Sequence, residues 1–346
     1  MLKLPKFKVA AVQAAPVFLD TDATIDKACR LIRQAASAGA ALVVFPEVFV
    51  PGYPYWSWVA NPVAASPWFQ KLCEAAVEVP GPEVAKLAQA ARDCAIHVAI
   101  GINERAARSV SLLYNTMLLI GPDGRLLGRH RKLVPTWAEK LTWAPGDGAG
   151  LRVHQTAVGP VGMLACGENT NTLARFALLS QGELVHLASY ISLPVAPPDY
   201  DMAEAIKLRA MAHSFEGKVY TVVSCSTVSA DIAEAMESAF PGARALLARK
   251  NSAFSGVIGP DGRLVGEPLV DDEGIVYAQV DLARCIQPRQ MHDITGNYNR
   301  FDVFDLRVNR RELTAASFAD EGPGALPDLL TETTLPGERA AMGELK

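Results

Sequence analysis

The chain places a carboxylate, an ammonium and a thiol where apolar runs end. Glu47 closes the run Ala41-Leu42-Val43-Val44-Phe45-Pro46. Lys132 sits in Arg129-His130-Arg131-Lys132-Leu133-Val134-Pro135-Thr136. Cys166 ends Val161-Gly162-Met163-Leu164-Ala165 and is followed by Gly167, Glu168 and Asn169. A free cysteine, with a pKa near about 8.5, is only a few per cent thiolate at neutral pH, so as a nucleophile it needs a base. A glutamate whose pKa is raised by burial can take that proton. A lysine can stabilise charge that develops on a substrate. These are the parts of a thiol hydrolase that needs no histidine. Each also has a plainer reading: a buried structural thiol, a loop cap, and a solvated member of a basic run.

The surrounding elements must bring these positions together. Residues 8–13, 42–45, 97–102, 162–165, 184–188 and 219–225 read as short strands. Residues 23–38, 82–94, 173–180 and 202–216 show apolar spacing of helical period, the first with Thr21 or Asp22 as its cap. Such alternation predicts an α/β fold with covered strands. Gly121-Pro122-Asp123-Gly124-Arg125-Leu126-Leu127-Gly128 recurs as Gly259-Pro260-Asp261-Gly262-Arg263-Leu264-Val265-Gly266. Pro-Asp-Gly between apolar stretches is a hairpin turn, because proline presets φ and glycine supplies positive φ. The echo is either two similar turns or the mark of two related halves. Residues 229–248 read as a surface insertion. Residues 1–308 read as one domain, and 309–346 as a tail that is extended, partly disordered or ordered by a neighbouring subunit.

With 346 residues, half of them hydrophobic, the chain can bury a full core. A formal net charge of −4 argues against a nucleic-acid footprint. No secretory leader and no bilayer-spanning run of about 20 apolar residues is evident, so the expected setting is cytoplasmic. Of the six cysteines none forms a C-x-x-C pair, and the histidines show no metal spacing, so no metal is expected. Five of the six read as buried thiols. Cys225, at the end of Tyr220-Thr221-Val222-Val223-Ser224, is the strongest rival nucleophile but lacks a following Gly-Glu. His130, His154 and His186 read as structural, and Glu168 and Asn169 as fixing the turn behind the nucleophile.

The wider motifs are more specific. Phe45-Pro46-Glu47 runs on to Pro51-Gly52-Tyr53-Pro54. His130-Arg131-Lys132 runs on to Pro135-Thr136, Glu139, Leu141 and Gly146-Asp147-Gly148. Cys166 is followed by Glu168-Asn169 and then Leu173-Ala174-Arg175. In that order and spacing they resemble the nitrilase superfamily, and within it the branch of nitrilases proper, across roughly residues 7–305. The resemblance implies a four-layer αββα sandwich with pseudo-two-fold related halves. It implies catalysis by Glu47, Lys132 and Cys166, with Glu139 holding Lys132 or steering a water; no motif implies a cofactor, since the glycines occur in turns rather than in a phosphate-cradling array. The reaction implied is hydrolysis of a small-molecule nitrile to the acid and ammonia. Amide or N-carbamoyl hydrolysis at the same triad is the alternative, and release of an amide a third outcome. A non-catalytic scaffold is disfavoured because all three residues are retained.

Pocket-wall candidates are Tyr53, Thr136, Trp137, Trp143 and Tyr190, the aromatics being equally suited to core packing. Trp56, Trp58 and Trp68 suggest a pocket lid or a subunit contact. Many nitrilases carry Trp immediately after the cysteine; this chain has Gly167, which removes an aromatic wall and suggests a roomy pocket. Gly167 is also expected to permit the tight path at the nucleophile and to offer its backbone N–H to the substrate. Homo-oligomers, dimers or larger and even spirals, are implied as well, with residues 176–179 and 229–248 as candidate contacts.

Overall fold

The computed structural model describes residues 3–197 and 199–316. The portion of the expected tail at 317–346 lies outside the described residues.

Two six-stranded sheets face each other. The first is built from β1 (Lys6–Gln13), β2 (Ala40–Val44), β3 (His97–Arg105), β4 (Leu113–Ile120) and β5 (Leu126–Arg131). The second takes β6 (His154–Thr156), β7 (Gly159–Ala165), β8 (Val185–Tyr190), β9 (Tyr220–Cys225), β10 (Phe254–Ile258) and β11 (Leu269–Val270). Strand β12 (Gly274–Asp281) returns to the edge of the first. The orders β12-β1-β2-β3-β4-β5 and β6-β7-β8-β9-β10-β11 repeat the same pairing senses. In each, an antiparallel edge strand is followed by three mutually parallel strands and then an antiparallel hairpin. The two Pro-Asp-Gly turns occupy equivalent places, β4–β5 and β10–β11. The sequence echo therefore marks two related halves.

The parallel strands are apolar on both faces because both are covered. Val9, Ala11, Val44, Ala99 and Leu119 of the first sheet meet Val161, Met163, Ala165, Leu187 and Val222 of the second in a shared middle layer. On the first sheet's outer face lie α1 (Thr21–Ser37) and α4 (Pro82–Asp93), which pack Ile25, Ile32 and Leu87 against Val43, Val98 and Ile100. On the second sheet's outer face lie α5 (Thr172–Leu179) and α6 (Met202–Gly217). They bring Leu178 to Leu164, and Ile206 and Ala210 to Ala188 and Val223. This is the αββα sandwich. Helix α1 is capped one residue earlier than expected, by Asp20, whose side chain accepts from Ala23 N.

Residues 229–248 are not a surface appendage. They form α7 (Ala230–Ala239) and α8 (Ala243–Leu247), and bury Ile232, Met236, Ala243 and Leu247 against Tyr55, Trp56 and Leu72. That corner also holds α2 (Trp56–Val59) and α3 (Pro62–Ala75). Trp56, only 1% exposed, stacks on Trp68, and Trp68 leans on Phe240. Trp56 is thus core packing rather than a lid. Residues 309–316 run without regular structure but are tied down: Glu312 pairs with Arg129 at 3.2 Å and Leu313 N donates to Asp147 at 2.8 Å. α9 (Ile286–His292) closes the regular structure. Among the described residues, no helix is long and apolar enough to cross a membrane.

Candidate active site

Glu47, Lys132 and Cys166 come from three strand ends. Glu47 follows β2 in a turn that presses on β3 so closely that Gly101 is required there: a Cβ at 101 would run into Val48 N and Pro46 O. Its N–H donates to Tyr190 O of the second sheet at 3.2 Å, which links the halves at the site. Lys132 follows β5 directly, and its N–H bonds Asn115 O of β4. Cys166 follows β7 as the first residue of a 3₁₀ turn, Cys166–Thr170.

All four polar candidates are buried, with Glu47 and Glu139 at 1% exposure, Lys132 at 2% and Cys166 at 6%. The Lys132 ammonium donates to Glu47 Oε1 at 2.8 Å and to Glu139 Oε2 at 2.7 Å. Burial by itself would favour the neutral amine, but the two carboxylates override it and hold the ammonium charged. One cation shared by two carboxylates leaves Glu47 under-compensated. Burial, reinforced by the charge of Glu139 and opposed by Lys132, raises its pKa. Asn115 Nδ2 also donates to Glu47 Oε1, at 2.6 Å, while Glu47 Oε2 has no partner among the described residues. Glu47 is thus oriented through one oxygen and open at the other.

Glu139 is placed differently. Its Oε2 also accepts from Thr136 N at 2.7 Å, and its Oε1 accepts from the Tyr53 hydroxyl at 2.9 Å. Glu139 thus joins Lys132 and Thr136 N through one oxygen and Tyr53 through the other. Tyr53 in turn accepts from Trp58 Nε1 at 2.8 Å and packs edge-on against Trp143, whose Nε1 donates to Asn103 Oδ1 at 2.9 Å. Asn103 Nδ2 donates back to Gly52 O at 2.9 Å. Tyr53 and Trp143 therefore act as a brace behind Glu139. Trp137 is 77% exposed and packs edge-on against Trp58 on the outer side, so it is not a buried wall.

The Cys166 thiol is pushed well up by burial and by the charge of Glu47, with Lys132 pulling the other way. Its resting form is the thiol. The backbone strain expected of Gly167 sits on Cys166 itself, at φ +48°. A side chain at 167 would instead approach Thr136 Oγ1 at 3.2 Å, which places Thr136 across from the turn. Glu168 fixes that turn by accepting from His130 Nε2 at 2.9 Å, Leu133 N at 2.7 Å and Ala165 N at 2.9 Å. Tyr190 lies in the same apolar cluster as Cys166, and its buried hydroxyl has no hydrogen-bond partner among the described residues. Cys225 is fully buried, and burial pushes its thiol far up.

Two features escaped the sequence reading. Asn115 was visible only as a polar residue inside the apolar strand Leu113–Ile120. The histidines, which show no metal spacing along the chain, do gather: His186 and His213 meet around Glu183, with ligand atoms within 4.8 Å of one another.

A family model described as carbon-nitrogen hydrolase matches residues 8–290. The chain belongs to that family. It is 36% identical to a nitrilase of Paraburkholderia phymatum over 94% of both chains. It is 38% identical to an aliphatic nitrilase of Rhodococcus rhodochrous over 90% of this chain and 85% of that one. The fold matches a carbon-nitrogen hydrolase from Helicobacter pylori with a TM-score of 0.66 at 22% identity, covering 83% of this chain and 93% of that structure.

Proposed function

We infer that the chain is a nitrilase that converts an organic nitrile to its carboxylic acid and ammonia. The observation that carries the mechanism is the unpartnered Oε2 of a glutamate whose other oxygen is pinned by Lys132 and Asn115. Glu47 Oε2 accepts the Cys166 proton as Sγ attacks the nitrile carbon. The nitrogen takes up that proton, giving a thioimidate. A water activated by Glu47 adds to the carbon; the tetrahedral centre expels ammonia and leaves a thioester. A second water, activated in the same way, releases the acid and restores the thiol. Lys132 has three N–H donors and spends two on Glu47 and Glu139. The third is free for charge on the substrate nitrogen or oxygen, alongside the Gly167 N–H. Thr136 and Tyr190 contribute to the pocket.

The test is ammonia release from phenylacetonitrile, benzonitrile, an aliphatic dinitrile, the matching amides and an N-carbamoyl amino acid, with products separated by chromatography. Acid and ammonia from at least one nitrile are expected. Turnover of the amides or the carbamoyl compound alone would overturn the nitrilase reading while keeping the triad.

The protein is also proposed to self-associate, but through less of α5 than residues 176–179. Ala177, Leu178 and Leu179 are buried in the protomer, as are Ile232, Met236, Ala243 and Leu247 of 229–248, while Ala230, Ala239, Ala245 and Ala248 of that segment are exposed. What α5 presents outward is Leu173, 63% exposed, and Phe176, beside a groove lined by Phe301, Phe304 and Val308. Light scattering is expected to give a dimer or larger; a 37.0 kDa particle would refute it.

A further inference from the structure

Behind the nucleophile lies a buried polar network that the chemistry above does not use. Glu183, just before β8, accepts from His186 Nδ1 at 2.8 Å and from His213 Nε2 at 3.0 Å. The other nitrogen of His186, Nε2, is 2.7 Å from Asn169 Oδ1. Asn169 Nδ2 donates to the backbone carbonyls of Cys166 at 3.1 Å and Leu164 at 3.3 Å. Those two carbonyls fix the amide's orientation, so Oδ1 is the acceptor toward His186. Both nitrogens of His186 then face acceptors, Glu183 on one side and Asn169 on the other.

The site is built for this arrangement. Glu183 and His186 are 0% exposed and His213 is 1%. Gly162 on β7 makes the room, since a Cβ there would collide with Glu183 Oε1. Burial would push the Glu183 carboxyl up, but His186 and His213 hold it down at about 2. His213 is driven to about 4 by burial and by His186, and so sits as a neutral donor.

We propose that Glu183 and His186 position the nucleophile: they lock Asn169, which grips the Cys166 carbonyl and keeps Cys166 in its left-handed backbone conformation, in register with Glu47 and Lys132. A non-glycine residue in that conformation is strained and persists only where its surroundings over-determine it. Asn169 supplies that constraint at the Cys166 carbonyl, and His186 keeps Asn169 from turning. The same three side chains could hold a metal ion, but every facing pair of atoms is already joined by a hydrogen bond of proper sense.

The proposal rests on the nitrilase reading only for its turnover assay, because alkylation of Cys166 by iodoacetamide reports on the thiol whatever the substrate. Asn169→Ala and His186→Gln are each expected to lower kcat about 10- to 100-fold, with KM little changed, since small misplacements of a reacting group have effects of that size. The alkylation rate should fall in parallel. Because both residues act along one path, the double variant should be no slower than the slower single. Asn169→Asp keeps the acceptor for His186 and loses both donors to the carbonyls; it should lose kcat as Asn169→Ala does, and it decides the matter if His186→Gln does not fold. Unchanged kcat in folded Asn169 variants, losses that multiply in the double variant, or a rise in KM alone would overturn the proposal. So would stoichiometric metal in the purified protein that disappears in Glu183→Gln.

Discussion

Cys166→Ala is expected to bring ammonia release down to the no-enzyme background, and Glu47→Gln to lower kcat by about 10²–10⁴, the usual yield of a positioned general base. The two losses should not multiply, because thiol and base serve one proton transfer. Glutamine at 47 can still accept from Asn115 and Lys132 through its amide oxygen, so the variant isolates the missing base from any collapse of the site. The pH profile adds an independent check. Burial and Glu139 raise the Glu47 pKa, with Lys132 opposing, and the active form is the carboxylate. kcat/KM of the parent enzyme should therefore climb with pH through an acid limb lying above the ordinary carboxylate value of about 4.3. Glu47→Gln should lose that limb. An acid limb that survives in Glu47→Gln, or turnover by Cys166→Ala above background, would remove these residues from their assigned roles.

What could be read from the sequence was local. Strands β2 and β7 announce themselves as apolar runs, and Glu47 and Cys166 follow them where the chain leaves the sheet. The paired Pro-Asp-Gly turns correctly signalled two halves, since a turn's φ requirements are written in its own residues. Pairings across strands are not. Asn115 reaches Glu47 over 68 positions because β3 lies between β2 and β4 and brings both to one end of the sheet. His213 reaches Glu183 only because α6 folds back over β8. Residues 229–248 were misjudged because Ile232 and Met236 cover a corner made by Tyr55 and Trp56, whose burial no periodicity reveals. The strain placed on Gly167 falls on Cys166, because Asn169 and Glu168 pin the turn from both sides and a non-glycine residue can then be held at positive φ.

Lys132→Met tests the electrostatics directly. Met matches the aliphatic stem but brings no charge, so Glu47 and Glu139 would face each other with nothing between them. Removing one partner of a buried ionic group typically costs about 3–5 kcal/mol, which should lower the thermal midpoint by about 5–10 °C in a domain of this size. kcat should fall by at least about 10²–10³, because the donor to the developing charge is gone. Stability and activity can then be pulled apart. In the triple variant Lys132→Met, Glu47→Gln, Glu139→Gln no buried charge is left unpaired; the amide oxygen at 47 can still accept from Asn115, and that at 139 from Thr136 N while its NH2 donates to the Tyr53 hydroxyl oxygen. Its midpoint should recover most of the loss, since neutral replacement of a whole buried ionic cluster is often close to harmless, while ammonia release stays at background. If the single variant melted with the parent protein, Lys132 would not be the cation that these carboxylates share. If the triple variant failed to recover, packing around the stem rather than charge balance would be what the lysine supplies. Recovery of stability without activity would mean that the fold tolerates the charged cluster for the sake of the chemistry.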